Sequence, residues 1–302
     1  MSDMNEWNFA VQKMIDWIEA HSKETPTLAE LAEQVGYSKF YCSSQFQKAV
    51  GCTIRRYIAG RRLSAATIRI RDTDEPLMDI ALEFGYSSQS ALTKAFKDAY
   101  GCTPAAYRKY PVPIPLFVQQ VVSDSSYYLK KGDVTMNEAI LTTPQVWVEY
   151  IPEHKFIGLY DIHYEGYWDV EKREDFPHIE GILESMVPMQ HPVVWSHHAG
   201  WYYENGKKGY FYGTGVLPDY DGPIPKGFEI RTIPASYYLV FGHPKYDFWK
   251  DNGEVMSRVE SLAWNFDPNS LGYAWNEETC QDYQRHMWND RGYQVLRPVV
   301  KL

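Results

Sequence analysis

Two stretches decide the reading of this chain: Leu31-Ala32-Glu33-Gln34-Val35-Gly36-Tyr37-Ser38 and Ile80-Ala81-Leu82-Glu83-Phe84-Gly85-Tyr86-Ser87. They correspond position by position, about 50 residues apart. The correspondence continues downstream, where Phe46 lies five residues before Gly51-Cys52-Thr53 and Phe96 five before Gly101-Cys102-Thr103. This is an internal duplication, and both copies carry the same local physics. Leu28, Leu31, Ala32 and Val35 recur at helical spacing and stop at Gly36, a residue suited to a left-handed helix end. Ser38 then caps a second helix running to about Val50. The second copy has Ile80, Ala81 and Phe84, then Gly85, a cap at Ser87 or Ser88, and a helix to about Tyr100. Helix, short glycine turn, helix is the helix-turn-helix pattern.

Between the copies lies a run of one sign of charge. From Lys39 to Arg71 there are eight basic residues (Lys39, Lys48, Arg55, Arg56, Arg61, Arg62, Arg69 and Arg71) and no acid. Such a run is a candidate phosphate-facing surface, or else a solvated helix face. Ile58, Leu63, Ala66 and Ile70 give the connecting segment an apolar side, so it reads as a helix that stops near Asp72-Thr73-Asp74-Glu75-Pro76. The charge of the whole chain, −9 over 302 residues, speaks against nucleic acid only as a single number. Up to Tyr110 there are 14 Lys/Arg against 13 Asp/Glu; the remaining 192 residues carry 16 against 26. The acidity belongs to the second part.

Residues 8–108 resemble the DNA-binding domain of the AraC/XylS family of transcription regulators. The resemblance rests on Leu31-Ala32, Gly36-Tyr37-Ser38, Phe46, Gly51, Tyr57, Arg62-Leu63-x-x-Ala66 and Ile80-Ala81. It continues with Gly85-Tyr86-Ser87-Ser88-Gln89-Ser90, Phe96, Gly101-x-Thr103-Pro104 and Tyr107-Arg108. It implies seven helices, with two recognition helices entering successive major-groove segments of promoter DNA. Carried over residue by residue, it puts base-reading positions at Phe40, Ser43 and Ser44 in the first such helix and at Gln89, Ser90, Thr93 and Lys94 in the second. Lys39 and Arg55 join them as DNA-binding residues from the basic run. Gln bonds adenine bidentately, Lys reaches guanine and Phe packs on a thymine methyl. Ser43 and Ser44 are short where the family commonly has longer polar side chains, so the second helix is expected to carry more of the specificity. Phe46, Leu92, Phe96 and Trp17 fall on the buried side and are expected in the core.

Beyond Tyr110 the composition changes. Pro111-Val112-Pro113-Ile114-Pro115 and Ser123-Asp124-Ser125-Ser126 mark residues 111–140 as an extended linker laid against one domain. From about 141 to 302 a second, looser repeat follows. Val148-Glu149-Tyr150-Ile151-Pro152 precedes the β-type run His154–Tyr160, and Ile230-Arg231-Thr232-Ile233-Pro234 precedes Ser236–Phe241. Each run leads to a helical stretch, roughly 175–187 and 253–264. Each copy then ends in a hairpin, with turn signals at Asn205-Gly206 and Asn289-Asp290-Arg291-Gly292. The expected fold is thus multidomain: an all-α double helix-turn-helix over 1–110, then an α+β domain of duplicated β-α-β-β units.

With Tyr210-Phe211-Tyr212-Gly213-x-Gly215-Val216 and Leu296-Arg297-Pro298-Val299, the second domain resembles GyrI-like effector-binding domains. That resemblance implies a groove between the repeats, binding a small, often aromatic or cationic molecule against aromatic walls. Of 47 aromatic residues 33 lie beyond Tyr110, which favours such a lining. The candidate ligand-binding residues are Tyr167, Trp168, Trp195, Tyr212, Gln284, His286 and Trp288. Drug-sensing members commonly have a glutamate where this chain has Gln284, so a neutral or anionic ligand is expected, with Gln284 as its hydrogen-bonding group.

No P-loop, GxGxxG, GxSxG or HExxH occurs. His197-His198 point to opposite faces of a strand and chelate poorly together, so no metal site is expected, and neither is a cofactor. Four cysteines form no CxxC pair, and no apolar run approaches a membrane span. The expectation is a cytoplasmic, non-enzymatic regulator with promoter DNA, an aromatic small-molecule effector and RNA polymerase as partners, and no membrane. The alternative is a second domain that hydrolyses or sequesters small molecules.

Overall fold

The helical boundaries are set by caps. In the computed structural model, which describes residues 2–21, 26–120, 122, 144–194, 196–287 and 292–302, Thr27 and Glu30 form a reciprocal capping box that opens α2 (Leu28–Val35). Ser38 caps α3 (Lys39–Val50), Thr53 caps α4 (Ile54–Asp72), Ser88 caps α6 (Gln89–Tyr100) and Thr103 caps α7 (Pro104–Lys109). Gly36, Gly51 and Gly101 end α2, α3 and α6 in the left-handed conformation, with φ of 74°, 76° and 76°. With α1 (Ser2–Ala20) and α5 (Leu77–Glu83), seven helices are described before residue 110. The second copy's turn is one residue longer, which is why Ser88 and not Ser87 is its cap.

The chain divides into two compact units, Met1–Tyr127 with Pro177–Ser185, and Tyr128–Phe176 with Met186–Leu302. The first has two cores that repeat one another. Leu31, Ala32, Phe46 and Tyr57 in one correspond to Ile80, Ala81, Phe96 and Tyr107 in the other, and α4 contributes to both. Leu92 is fully buried, whereas Trp17 is only half-buried and stacks on His21 at 4.0 Å. Trp17 is therefore a rim residue and not the core residue its spacing predicts.

Residues 112–120 have no regular structure and belong to this unit. Ile114 and Leu116 sit in the second core, the Phe117 amide donates to Ser64 Oγ at 2.6 Å, and Arg61 donates to Phe117 O at 2.6 Å. A helix from far along the chain, α9 (Phe176–Ser185), completes the unit. Its Ser185 Oγ accepts from Ile114 N at 2.9 Å, and its Glu184 and Ser185 carbonyls accept from Arg71.

The second unit is built on an antiparallel sheet ordered β1-β6-β9-β8-β3-β4-β2-β5, with β7 paired to β9. The strands are β1 (Gln145–Ile151), β2 (His154–Asp161), β3 (Ser196–Glu204), β4 (Lys207–Val216), β5 (Glu229–Ile233), β6 (Ser236–Gly242), β7 (Tyr273–Trp275), β8 (Tyr283–Met287) and β9 (Gly292–Lys301). Asn205 and Gly206, at φ of 52° and 73°, make the tight turn between β3 and β4. The turn signalled by Asn289-Asp290-Arg291 lies outside the described residues. Phe156, Phe211, Tyr238, Tyr283 and Leu296 lead the core cluster of this sheet. Because side chains alternate along a strand, Tyr210, Tyr212, Gln284, His286 and Tyr293 stand on the opposite face. The short α8 (Tyr167–Glu171) and the long α10 (Phe248–Asn265) are the other helices described in this unit.

Candidate nucleic-acid interface and ligand site

On α3, Cys42 and Phe46 are buried, so the helix turns Lys39, Phe40 and Ser44 outward and holds Ser43 half-buried. Phe40 is 81% exposed, a solvent-facing ring that no packing requirement of this unit explains. On α6, Leu92 and Phe96 are buried while Gln89, Ser90 and Lys94 are exposed and Thr93 is half-buried. Arg55 is exposed at the start of α4. The structure thus puts the sequence-predicted positions on the outward sides of α3, α4 and α6.

The basic run does two different things. Arg61 is held by Glu19 at 2.8 Å, Arg69 by Glu75 at 2.5 Å and Arg71 by Asp72 at 2.7 Å. Arg62 lies against Gly85. Lys39, Lys48, Arg55 and Arg56 are exposed and make no ion pair among the described residues. Only this latter half remains available to a phosphate backbone. A cleft of about 630 Å³ opens beside it, lined by Thr27, Leu28, Ser43, Ile54, Arg55 and Ile58 among others. Sequence gave no signal for the cleft, since its walls come from the starts of two helices and the side of a third.

In the second unit Tyr167, Tyr212 and Phe176 form an aromatic triad, with ring centroids 5.9–6.0 Å apart. Trp168, expected to line the groove, is 64% exposed, with its ring 5.8 Å from that of Tyr167. Trp195 and Trp288 lie outside the described residues, as do the side chains of His197 and His198. Gln284 pairs with Ala199 of β3 in the middle of the sheet and is buried. Tyr210 donates to Gln284 Oε1 at 2.5 Å, and Gln284 Nε2 reaches Tyr293 Oη at 2.5 Å. Tyr293 in turn donates to Glu260 Oε1 at 2.6 Å.

Glu260 is the residue that sequence reasoning missed. It comes from α10, where Val255, Val259 and Ala263 mark the buried stripe and Glu260 sits at its margin. Its carboxylate, carried by the helix and not by β8, lies 3.4 Å from Gln284 Nε2 and accepts from Tyr293. Burial raises the Glu260 carboxyl above the ordinary range, against the opposing effects of the Tyr293 hydroxyl and of Lys208. Burial likewise pushes the phenols of Tyr210 and Tyr293 far up, so both act as hydrogen-bond donors. His286 packs on Tyr293 at 4.8 Å and on Phe248 at 5.6 Å, and burial pushes its imidazole down to about 4. It stands neutral at pH 7.

Among the described residues no group of three His, Cys, Asp or Glu is placed to hold a metal, and no helix is long and apolar enough to cross a membrane.

Two helix-turn-helix units on a shared helix define a class of transcription regulator, and comparison with known proteins is specific about which. Residues 31–110 match the family model described as a helix-turn-helix domain. The regulatory protein SoxS of Salmonella typhimurium is 35% identical over 98 residues, which cover 32% of this chain and 92% of SoxS. The right origin-binding protein of Escherichia coli K12 is 32% identical over 151 residues, covering 50% of this chain and 45% of that protein. The chain thus spans less than half the length of that relative. Among solved structures, the C-terminal domain of AraT, a response regulator from Geobacillus stearothermophilus, is similar at 29% identity and a TM-score of 0.31, over 33% of this chain and 84% of its own. The chain belongs to the AraC/XylS family of transcription regulators.

Proposed function

We propose that the protein is a one-component regulator that reads promoter DNA through α3 and α6 and responds to a small molecule held on the aromatic face of its second unit. The observation that carries the DNA half is the pair of outward helix faces, with Phe40 and Ser44 on one and Gln89, Ser90 and Lys94 on the other, beside four basic side chains that make no ion pair among the described residues. In the test, Lys94→Ala weakens binding by about 1–3 kcal/mol and relaxes base preference at one position, as lost base contacts do. Selection of bound sequences from a random pool measures this. Uniform weakening on every sequence would make Lys94 a phosphate contact instead.

The ligand half rests on the chain Tyr210–Gln284–Tyr293–Glu260 beside Tyr167 and Tyr212. The sheet order supports a GyrI-like, duplicated β-α-β-β reading. From the β3–β8 seam it runs β4, β2 on one side and β9, β6 on the other, and the strand preceding each half (β1, β5) pairs with the opposite half. Gln284 stands on that seam. Among the described residues no donor reaches the second Glu260 oxygen, so the site suits an aromatic effector that carries an N–H group. Selection repeated with and without metabolite extract tests whether an effector alters DNA affinity.

A second reading has one observation in its favour. Tyr293 and Glu260 form a tyrosine–carboxylate pair, and a carboxyl raised by burial is the right kind of group for general acid–base work. A turnover assay with candidate ligands separates the two, since a pure sensor releases its effector unchanged.

A further inference from the structure

On the same sheet face as Gln284, an acidic and a basic side chain lack hydrogen-bond partners among the described residues. Asp282 is fully buried, and neither carboxylate oxygen accepts a hydrogen bond among the described residues. Its nearest cation, Arg297 Nε, is 3.8 Å away and already engaged. Arg297 is bonded to Glu277 and to Ala263 O and lies between the rings of Trp264 and Trp275. Lys208, opposite Tyr203 in the β3–β4 ladder, has no hydrogen-bond acceptor among the described residues either. Its Nζ rests on the face of Trp264, 3.4 Å from the centroid, and 4.9 Å from that of Trp201. Trp201 is fixed from both sides: its indole N–H donates to Glu165 O, and its carbonyl accepts from the amide of Asp282.

A buried carboxylate without a donor is costly, and an ammonium resting on two indoles makes no hydrogen bond to the described residues. Together they describe a cation cage occupied by a side chain of the protein itself. We propose that Lys208 is a displaceable occupant of a site for a protonated amine, whose carbon skeleton lies on Trp264 and Trp201 and whose N–H donates to Asp282. Once ionised, Asp282, whose oxygens accept no hydrogen bond among the described residues, favours an ammonium with N–H bonds over a quaternary one. Lys208 as a whole is exposed, so it is free to swing out. This site adjoins the Gln284 chain, since Trp201 packs on Tyr210 at 5.5 Å and Lys208 acts on Glu260, but its test does not depend on the effector reading.

Burial holds the Asp282 carboxyl far above its ordinary range, with Glu277 adding to the effect and Arg297 and Lys208 opposing it. Tyr203 on β3, Glu277, Arg297 on β9 and Lys208 on β4 are the titratable or charged groups around it, and Glu260 on α10 acts on Lys208. A carboxyl raised in this way gives up its proton more readily once it is paired with an amine. Amine binding therefore tightens as pH rises, by up to about tenfold per unit below the titration of Asp282.

The test is a calorimetric titration of the full chain with benzylammonium and with its trimethylated analogue. Lys208→Gln is expected to bind benzylammonium about tenfold tighter than wild type, because the competing occupant is gone, and to prefer it over the quaternary analogue. Adding Asp282→Asn to that variant is expected to cost at least about tenfold and to abolish the pH dependence. Trp264→Leu in the Lys208→Gln background, which leaves Asp282 untouched, is expected to lose binding as well. Equal affinity of wild type and Lys208→Gln, or unchanged binding after Asp282→Asn, overturns the proposal.

Discussion

His154 shows how a single side chain ties the second unit to pH. It is fully buried, with Nδ1 on Pro152 O at 2.9 Å and Nε2 on Tyr283 Oη at 2.5 Å. In the neutral ring Nδ1–H donates to Pro152 O and Nε2 accepts from the Tyr283 hydroxyl, and burial pushes the imidazole down to about 4. Below an unfolded-state value near 6.5 the unfolded chain takes up a proton that the folded one refuses. The stability tied to this neutral ring is therefore complete above about pH 6.5 and is lost as pH falls toward 4, on the order of 3 kcal/mol in all. Glu260 and Asp282, with raised values, work in the opposite sense, so the contribution of His154 is read as a difference. His154→Gln is expected to be less stable than wild type at pH 7 and to narrow that gap by pH 4.5 in urea unfolding; a gap that stays constant refutes the assignment. At this scale the sequence was legible where residue type alone carries meaning. Gln284 and Tyr212 stood out by motif, whereas Glu260 and Asp282 did not, because burial and missing donors exist only once strands and helix are assembled.

Elements were legible wherever their ends are written locally. Gly36, Ser38, Ser88 and Gly101 mark helix boundaries by capping chemistry that needs no tertiary partner, so the duplicated helices follow from sequence directly. The membership of α9 in the first unit does not, since it depends on a close approach across more than 60 residues of chain. A Cβ on Gly181 would stand 1.8 Å from Leu116 O, so the helix packs against the 112–120 segment only because that atom is missing. Gly181→Ala is expected to destabilise the first unit by about 1–3 kcal/mol, in the manner of an overpacked contact. Gly253 in α10 has nothing within 4 Å of the same position. There the change to Ala is expected to stabilise by up to about 1 kcal/mol through helix propensity. Thermal melts of the two variants should therefore shift in opposite directions, and two shifts of the same sign would remove the packing argument.

Across the whole molecule, the charge of −9 is the sum of a first part near neutrality and an acidic second part, and even the basic strip in the first is not uniform. Sequence showed eight cations without an acid between them; folding spends Arg61, Arg69 and Arg71 on Glu19, Glu75 and Asp72. Arg61 and Arg71 also donate to backbone carbonyls of the 112–120 segment and of α9, so they hold the unit together from within. If DNA lies along α3 and α6, the two kinds of arginine separate under salt. Arg55→Ala and Lys48→Ala each remove one releasable counterion, and each is expected to flatten the slope of log affinity against log salt by about 1. Arg61→Ala and Arg71→Ala are expected to leave that slope unchanged and to lower the melting temperature instead, since each strands carbonyls that were bonded. Equal slopes in all four variants would mean that the basic strip does not face the phosphate backbone, and the DNA-reading surface would then have to be sought on another side of α3 and α6.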